Sequence, residues 1–379
     1  MTTTIRVSGP AEILTVLPYQ LGYHPADSLV AVSLHGTRMG LVQRIDLPPS
    51  EQVDLAVVAM MPPLRQAPPK AVMLIGFESR QGQSRPMLDK MADACRGLAV
   101  EVTGRIIVRG GRWFDLDCDE AGCPSRGSGE GAALPSPSEV PAVAEFVGRE
   151  ICPLPDRLAL AGLLEPSSSL LSLAVSRLAD EWWQLRLEAT LGVDAEGARE
   201  LGDNTNEMEL YEIRTAELAV WSLVLGEDDD ADGEPIRVLP PQDLAMLAVS
   251  LTDLELRDGL IAWLCPGSLP RDRIDPILAV QLRRALAEPP WLSGDLGEVE
   301  QVAGGQRVER RLCELSAALP DVWAVPTLTL LASFTWWRGD GALTRIALDR
   351  ALRIDPDYRL AQLLERMVDL AIRPERASA

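Results

Sequence analysis

The chain has 379 residues, 47% hydrophobic and 24% charged, a composition that can bury sizeable cores and that excludes an intrinsically disordered polypeptide. Asp and Glu outnumber Lys and Arg by 56 to 36, and the net charge of -20 disfavours nucleic acids and anionic membranes as partners. The first residues lack a secretory signal and no run of about 18 apolar residues occurs, so we expect a cytoplasmic protein without a membrane span.

The first part of the chain alternates strand-like and helix-like patterns. Leu29 to Leu34 is a continuous apolar run, which is typical of a strand covered on both faces. The predicted elements are, in chain order, a helix over 10–17, strands over 29–34 and 39–47, a helix over 51–61, a strand over 71–77, a helix over 85–98, and strands over 100–108 and 112–118. The order ββαβαββ predicts an α/β domain with a mixed sheet over residues 1–120.

The second predicted strand alternates between apolar and polar residues. The alternation places Met39 and Ile45 on one face of the strand and Val42, Arg44 and Asp46 on the other. Together with the preceding strand, it predicts a β-hairpin.

Residues 121–141 are rich in Gly, Pro and Ser, so we interpret them as a linker or loop between two domains. Strand patterns disappear beyond this segment, and residues 142–379 are predicted to form a mostly α-helical domain. Helical periodicity occurs over 141–150, 168–190, 206–225, 241–250, 252–264, 274–287, 306–318, 325–337, 340–353 and 358–371.

Residues 322–371 are predicted to form a tetratricopeptide-like helical hairpin. Leu348 and Ala351 fall at core positions of such a unit, and Pro356 closes the helix as it does in these repeats. Thr335 occupies the slot that usually holds an aromatic residue, and fewer than two repeats are visible. The pattern therefore predicts one hairpin and not a repeat array.

Common nucleotide-binding and hydrolase motifs are missing from the sequence. It contains no G-x-x-x-x-G-K-[ST], no G-x-G-x-x-G between a strand and a helix, no G-x-S-x-G and no H-E-x-x-H. Two histidines, His24 and His35, are available for acid–base chemistry. We therefore predict no cofactor and favour a protein without catalytic activity.

The polar cluster of His24, Ser28, Arg44 and Asp46 is the strongest candidate for a site. Arg44 and Asp46 share a strand face next to the strand end, and ligands of open α/β sheets bind outside the carboxyl ends of strands. Two interpretations remain open. The cluster is either an active or ligand-binding site, or a partly buried ion pair beside a capped turn, in which Ser28 or Asp27 bonds backbone N–H groups.

Cys118 and Cys123, followed by Pro124 and Gly127, form half of a zinc-knuckle pattern. A closed tetrahedral zinc site needs four ligands, and Cys152 is the nearest further cysteine. The pair is thus a weak metal candidate, a redox thiol pair or a structured turn with free thiols. Because we expect a reducing compartment, most of the six thiols are predicted to be free.

Several short stretches follow one pattern along the chain: Leu21-Gly22-Tyr23-His24-Pro25, Ser28-Leu29-Val30, Arg44-Ile45-Asp46-Leu47-Pro48, Gly111-Arg112-Trp113, Cys118, Cys123-Pro124, Gly127, Asp156-Arg157-Leu158-Ala159, Trp336 to Ala342 and Ala351 to Ala361. In this order they resemble the actinobacterial domain of unknown function 4192 family. Gly122 stands where the family often has a second cysteine, which weakens a metal role. The resemblance implies an actinobacterial cytoplasmic protein and brings no established reaction, cofactor or partner.

These observations favour a non-catalytic protein-interaction or regulatory scaffold that binds an unidentified protein partner. The grounds are the helical hairpin, the missing catalytic motifs and the nine Trp residues, most of them in the helical half. Trp337, Arg338, Asp340 and Tyr358 are the candidate contact residues. The alternative is an enzyme or small-ligand-binding protein that uses the polar cluster at the strand ends.

Overall fold

A computed structural model describes residues 9–36, 38–127, 129–148, 151–166, 169–191, 205–226, 239–270, 273–292 and 297–372. These residues form two compact units: one extends to Leu160 and includes 366–372, and the other covers 161–365. Within the described ranges, no helix is long and apolar enough to cross a membrane.

The first unit combines a sheet with helices. Its elements are α1 (Pro10–Leu21), β1 (Ser28–His35), β2 (Arg38–Asp46), α2 (Val53–Gln66), β3 (Ala71–Phe77), α3 (Arg85–Gly97), β4 (Glu101–Arg109), β5 (Arg112–Asp115), β6 (Ala132–Ala133) and α4 (Pro141–Val147). A short helix that the periodicity did not predict, α5 (Arg157–Gly162), follows them.

The six strands form one mixed sheet in the order β2-β1-β3-β4-β5-β6. β1 is antiparallel to both β2 and β3, while β3 and β4 are parallel, with α3 between them in the chain. A mixed sheet in the N-terminal part of the chain and helices beyond it are therefore confirmed. The register aligns the start of β1 with the ends of β2, β3 and β4.

One face of the sheet packs against α2 and α3. Leu29 and Leu74 of the sheet share a buried core cluster with Met60 of α2 and Met91 of α3. Burial of each such side chain contributes about 1.5–3 kcal/mol to stability. Leu64 belongs to the same cluster, and its burial keeps α2 helical beyond two prolines, so the predicted end of this helix at 61 is wrong.

β2 contains a bulge that the alternation alone does not show. Val32 pairs with Val42 and Leu34 with Met39, so three steps along β2 oppose two along β1. Because cross-strand partners share a face, Met39 lies on the same face as Val42. The predicted placement of Met39 on the opposite face, with Ile45, is therefore wrong.

The segment predicted as a linker, residues 121–141, contributes a strand to the sheet of the first unit. Ala132 of β6 pairs with Trp113 of β5. Gly131 has a left-handed φ of 77°, and a Cβ at this position would lie 2.6 Å from the Phe114 ring. Only glycine fits this close approach, so the Gly content of the segment reflects a packed turn at this point.

The second unit is helical. Its elements are α6 (Ser169–Leu191), α7 (Thr205–Leu225), α8 (Pro241–Ser250), α9 (Leu254–Leu264), α10 (Pro276–Ala285), α11 (Glu298–Ala318), α12 (Asp321–Arg338), α13 (Gly341–Ile354) and α14 (Arg359–Asp369) as far as residue 365. Aspartate side chains cap three of these helices: Asp253 on α9, Asp275 on α10 and Asp340 on α13. Replacing such a cap by Ala typically costs about 1 kcal/mol.

α11 begins at Glu298, and its predicted start at 306 is wrong. Gly304 and Gly305 have low helix propensity, so local sequence preference starts the helix after them. In the structure the two glycines admit close neighbours: a Cβ would lie 2.7 Å from Pro290 at the first and 3.0 Å from Arg338 at the second. Packing therefore overrides propensity here.

α12 and α13 form a helical hairpin with a short connection. Gly339 ends α12 with a left-handed φ of 100°, and Asp340 then accepts a hydrogen bond from the backbone N–H of Leu343 at 2.9 Å. The hydroxyls of Thr335 and Thr344, both fully buried, lie 2.8 Å apart between the two helices. Thr335 thus supplies a buried polar contact between α12 and α13.

Candidate functional site

The candidate site lies at the sheet edge where β1 begins and β2, β3 and β4 end. Ser28 of β1 pairs with Asp46 of β2 and with Phe77 of β3, and Phe77 pairs with Val108 of β4. Open α/β sheets bind their ligands outside the carboxyl ends of strands. The polar side chains next to these strand ends are therefore the ones that could form a site.

Arg44 and Asp46 form an ion pair on one face of β2. Nη2 of Arg44 donates to Oδ1 of Asp46 at 2.5 Å and to the carbonyl oxygen of Ala26 at 3.4 Å. The guanidinium also lies 5.9 Å from the centre of the Tyr23 ring. The Arg44 side chain is 12% exposed and that of Asp46 is 71% exposed, so the pair is covered at the arginine and open to solvent at the carboxylate.

Ser28 lies on the same sheet face as this pair, but His24 does not join them. Ser28 is fully buried, and among the described residues neither its Oγ nor Nε of Arg44 has a hydrogen-bond partner. His24 is exposed, and its backbone N–H donates to the carbonyl oxygen of Leu154 at 3.0 Å. The structure therefore brings three of the four predicted residues together, without a bond from His24 to Ser28 in the described part of the chain.

Asp27 links the loop before β1 to the segment that follows β3. Its Oδ1 accepts from the backbone N–H of Ser79 at 2.9 Å, and its carbonyl oxygen accepts from the N–H of Leu47 at 2.9 Å. Hydrogen bonds from the side chain and backbone of Ser79 lower the pKa of Asp27. Its φ of 40° lies in the left-handed region, which Asp tolerates better than most residues. The capped-turn interpretation thus describes Asp27 correctly.

Glu78 is a buried carboxylate at this edge of the sheet that sequence reasoning missed. It follows β3 directly, and its side chain is fully buried. Oε1 accepts from Nη1 of Arg109 at 2.6 Å and from the N–H of Gly82 at 3.1 Å, while Oε2 accepts from the N–H and the hydroxyl of Ser84 at 3.0 and 2.9 Å. The available signal was an acidic residue immediately after a buried strand, followed by Gly and Ser before a helix.

The loop between β3 and α3 is folded around the Glu78 carboxylate. Backbone N–H groups at a helix start favour anions, and in many α/β proteins a phosphate binds there. Here a carboxylate of the same chain accepts from the N–H groups of Gly82 and Ser84, directly before α3. Gly76 permits the arrangement, because a Cβ on it would lie 2.3 Å from Oγ of Ser84. Glu78 and Arg109 therefore stabilise this edge of the sheet through contacts within the chain.

A shallow surface cleft of about 430 Å³ lies between the first turns of α2 and α3. It is lined by three carboxylates, Asp54, Asp89 and Asp93, and by Lys90, which pairs with Asp54 at 2.9 Å. None of the residues of the predicted polar cluster lines this cleft. The cleft and the strand-end cluster are thus different features of the unit.

Cys118 and Cys123 lie in the loop that follows β5. This strand ends at Asp115, earlier than predicted, because the main chain of Asp115 bonds that of Ser125 and Gly127 in the returning loop. Sγ of Cys123 lies 3.1 Å from Oγ of Ser125. Within the described ranges no three His, Cys, Asp or Glu side chains are placed to hold a metal ion together, and all six cysteines are free thiols.

The predicted contact residues Trp337 and Tyr358 both bond groups of their own unit. Nε1 of Trp337 donates to the carbonyl oxygen of Pro266 at 3.1 Å, and its ring lies 6.4 Å from that of Trp291. The hydroxyl of Tyr358 accepts from Nη1 of Arg257 at 3.2 Å. Both side chains are half-buried, so helix packing accounts for a large part of each.

Arg338 and Asp340, the other two contact residues, belong to a charged cluster beside α11. The guanidinium of Arg338 lies 3.3 Å from Glu309 and 5.7 Å from the centre of the Phe334 ring. Burial raises the pKa of Glu309 to about 7, against the opposing effect of Arg338, and burial also raises the pKa of Asp340. The cluster therefore links the end of α12 to α11 through the ion pair of Arg338 and Glu309.

A buried ion-pair network in the second unit was not predicted. Arg186 of α6 bonds both Glu217 of α7 and Asp253, the cap of α9. Nε of Arg214 donates to Asp253 at 2.8 Å, and Nε1 of Trp182 donates to Glu217 at 3.0 Å. Burial raises the pKa of Glu217. The available signal was an arginine on the buried stripe of α6.

Comparison with known proteins gives a family but no activity. A family model described as domain of unknown function (DUF4192) matches residues 10–375. No curated protein and no solved structure matches significantly. The function must therefore be argued from the geometry of the chain itself.

Proposed function

This chain belongs to the family described as domain of unknown function (DUF4192), and we propose that it is a cytoplasmic, non-catalytic protein-interaction or regulatory scaffold. The observation that carries the proposal is a pair of exposed leucines on α6. Leu170 is 79% exposed and Leu173 is 68% exposed. Large apolar side chains that cluster on the exposed surface are typical of protein interaction sites.

The two leucines, here named the α6 leucine pair, are one helical turn apart and share a face of α6. Val175 and Ala179, on the opposite stripe of the same helix, are fully buried. α6 thus has one apolar stripe buried in the core of its unit and a second apolar group exposed to solvent. A helix that only served the core of its unit would be expected to carry polar residues at the exposed positions.

The charge of the chain constrains the partner. The net charge is -20, and the exposed stripe of α6 continues from the leucine pair to Arg177 and Glu181, whose side chains form an exposed pair at 3.7 Å. A partner that offers an apolar ridge bordered by basic side chains would match this surface. The association rate should then fall as salt is added, because the charges steer the encounter.

The α12–α13 hairpin is a second feature that supports a scaffold. We propose that it is tetratricopeptide-like, with Trp337 and Tyr358 at its margin available to a partner through their exposed parts. Repeats of this kind present side chains of stacked helices as binding surfaces. The bonds of Trp337 to Pro266 and of Tyr358 to Arg257 would then fix the orientation of the rings that the partner meets.

The test is affinity capture with the full-length chain. Leu170→Glu together with Leu173→Glu should abolish the capture of a partner that the unchanged chain retains, and should raise the Kd of the purified pair at least about tenfold. The matched control is Leu55→Glu with Val58→Glu. These residues have the same spacing on α2 and are 71% and 59% exposed.

The comparison of the two double variants decides the proposal. Loss of capture with the α6 variant alone supports it, and equal capture by the unchanged chain and both variants overturns it. Tyr358→Phe adds a test of the hairpin, because it removes the hydroxyl that accepts from Arg257 and keeps the ring. A Tyr358→Phe chain with weaker partner binding and unchanged stability would place Tyr358 in the contact surface.

A second candidate function rests on the buried polar atoms of the sheet edge. Oγ of Ser28 and Nε of Arg44 are donors on one sheet face without hydrogen-bond partners among the described residues. Buried donors of this kind are usually satisfied by water or by a ligand. The carboxylate or phosphate group of a small ligand would supply the acceptor that these two donors lack.

This second candidate is tested by thermal unfolding in the presence of inorganic phosphate and of small dicarboxylates. A ligand-dependent rise in the unfolding temperature that disappears in Arg44→Lys would support it, since lysine lacks the Nε–H donor. An equal rise in the unchanged chain and in Arg44→Lys would contradict it.

A further inference from the structure

The loop after β5 brings two thiols together. Gly122 adopts a left-handed φ of 87°, and the N–H of Cys123 bonds the carbonyl oxygen of Glu120 at 3.3 Å. This turn returns the chain toward Cys118, and a hydrogen bond between the two thiols is among the causes that shift the pKa of each. Both side chains are half-buried, so small molecules can reach them.

The two thiols have unequal surroundings. Oγ of Ser125 lies 3.1 Å from Sγ of Cys123. Hydrogen bonds from Ser125 and from the Cys118 thiol lower the pKa of Cys123. At Cys118 the N–H of Glu120 favours the thiolate, but donation to Cys123 and burial outweigh it and raise the pKa. Cys123 is thus the thiol that ionises first, and Cys118 keeps its proton.

Ser125 is held in place by the sheet. It is only 7% exposed, and its carbonyl oxygen accepts from the N–H of Asp115 at the end of β5 at 2.5 Å. The N–H of Gly127 bonds the carbonyl oxygen of Asp115 at 2.8 Å. The hydroxyl that bonds Cys123 is therefore part of a fixed structure, not of a free loop tip.

The other cysteines provide the contrast. Cys95, Cys265 and Cys313 are buried, and burial raises the pKa of each thiol, to about 11 at Cys95. Buried thiols of this kind react slowly, because the thiolate is the reactive form. Cys152 is exposed and serves as the reference for an ordinary accessible thiol.

We propose that Cys118 and Cys123 form a redox-active dithiol, which a peroxide oxidises to a disulfide within the chain. The Cys123 thiolate attacks one oxygen of hydrogen peroxide, an S–O bond forms, the O–O bond breaks, and the leaving hydroxide takes a proton to become water. The Cys118 sulfur then attacks the Cys123 sulfenic acid. The S–S bond forms, the S–O bond breaks, and a second water leaves with the Cys118 proton. A dithiol reductant reverses the change.

The inference does not rest on the proposed scaffold function, because it concerns a loop of the first unit. Its test uses the reduced, full-length chain and hydrogen peroxide as the oxidant, followed by alkylation of the remaining thiols and tryptic digestion. Both cysteines fall in one tryptic peptide, Trp113–Arg126. We expect this peptide to lose two hydrogens and thereby to become resistant to alkylation. This oxidation should be at least about tenfold faster than the oxidation of Cys152.

Variants separate the roles of the groups. In Cys118→Ser the disulfide cannot close, so the Cys123 sulfenic acid should be trapped by dimedone. Ser125→Ala should slow oxidation about three- to tenfold and leave the fold intact, since it removes a single hydrogen bond to the sulfur. Cys152→Ser should leave the rate unchanged.

Two results would overturn the proposal. One is oxidation of Cys118 and Cys123 at the rate of Cys152, and the other is the formation of disulfides between chains instead of within the tryptic peptide. The measurement on the unchanged chain stands by itself, so a variant that fails to fold does not prevent a decision.

Discussion

Arg109 and Glu78 join the ends of two adjacent parallel strands, because Nη1 of Arg109 donates to Oε1 of the buried carboxylate at 2.6 Å. Glu78 follows β3 directly, and Arg109 is the last residue of β4. The same carboxylate accepts three hydrogen bonds from the loop that leads to α3. The strand ends and the start of the helix should therefore respond together when this charge is removed.

Glu78→Gln keeps the shape of the side chain and removes its charge. We expect the free energy of unfolding to fall by about 2–4 kcal/mol, because Arg109 loses its counter-charge and the new NH₂ group faces backbone donors. Urea unfolding measures the change. The control is Glu101→Gln at the exposed start of β4, which should cost less than about 0.5 kcal/mol. Equal losses in the two variants would contradict the role given to Glu78.

Asp27 is expected to anchor the loop before β1. Asp27→Ala should cost about 1–2 kcal/mol, since it removes the acceptor for the Ser79 N–H and leaves alanine at a left-handed φ. Asp27→Asn keeps an acceptor and tolerates this φ, so its loss should be less than half as large. Amide hydrogen exchange of Ser79 reports the bond directly. Unchanged protection in Asp27→Ala would rule the anchor out.

Arg186 is a buried arginine on which the ion-pair network of the helical unit depends. Arg186→Met leaves Glu217 and Asp253 with an uncompensated buried charge, and we expect a loss of about 3–5 kcal/mol. Arg177→Met on the same helix removes an exposed arginine and should cost less than about 0.5 kcal/mol. Denaturant unfolding of both variants makes the comparison. A small effect of Arg186→Met would mean that water reaches the network.

Glu309 should make stability depend on pH. Its pKa is raised to about 7 in the folded protein from an ordinary value near 4.5, so folding favours the protonated form. This contribution is fully present below about pH 4.5 and is lost as the pH rises through about 7. Asp340 adds to the rise in the pKa of Glu309 and Arg338 opposes it, while the charge of Glu309 in turn raises the pKa of Cys313.

The measurement for Glu309 is the free energy of unfolding of the unchanged chain and of Glu309→Gln at several pH values. Relative to Glu309→Gln, the unchanged chain should lose about 2–3 kcal/mol between about pH 4.5 and pH 8. Glu207→Gln, on the exposed side of α7, is the control for the loss of one carboxylate. Parallel curves for Glu309→Gln and the unchanged chain would refute the shift.

The elements of this fold are largely predictable from the sequence, and their contacts are not. The apolar run from Leu29 to Leu34 and the helical periodicity beyond residue 141 define strands and helices because burial dictates those periods. The predictions fail where tertiary packing overrides local preference. Gly304 and Gly305 lie inside a helix since Pro290 and Arg338 need the space, and the bulge in β2 moves Met39 to the other face.

The same distinction applies to the candidate site. Arg44 and Asp46 are two residues apart on a strand, so their shared face follows from the period of the strand. Glu78 and Arg109 are separated by a helix and a strand, and their contact exists only because β3 and β4 pair in one particular register. A sequence without aligned relatives contains no signal for that register.

The carboxylate at the start of α3 also determines how this loop would respond to dissolved anions. Glu78 is covalently attached to the loop that it bonds, so its effective concentration there is in the millimolar range or above. A free phosphate would have to displace the Glu78 carboxylate, which stays attached to the chain. The displaced carboxylate would then remain as a buried negative charge beside the phosphate. The Glu78 carboxylate therefore occupies the donor groups of this loop permanently. We expect the loop not to bind phosphate or other anions from solution.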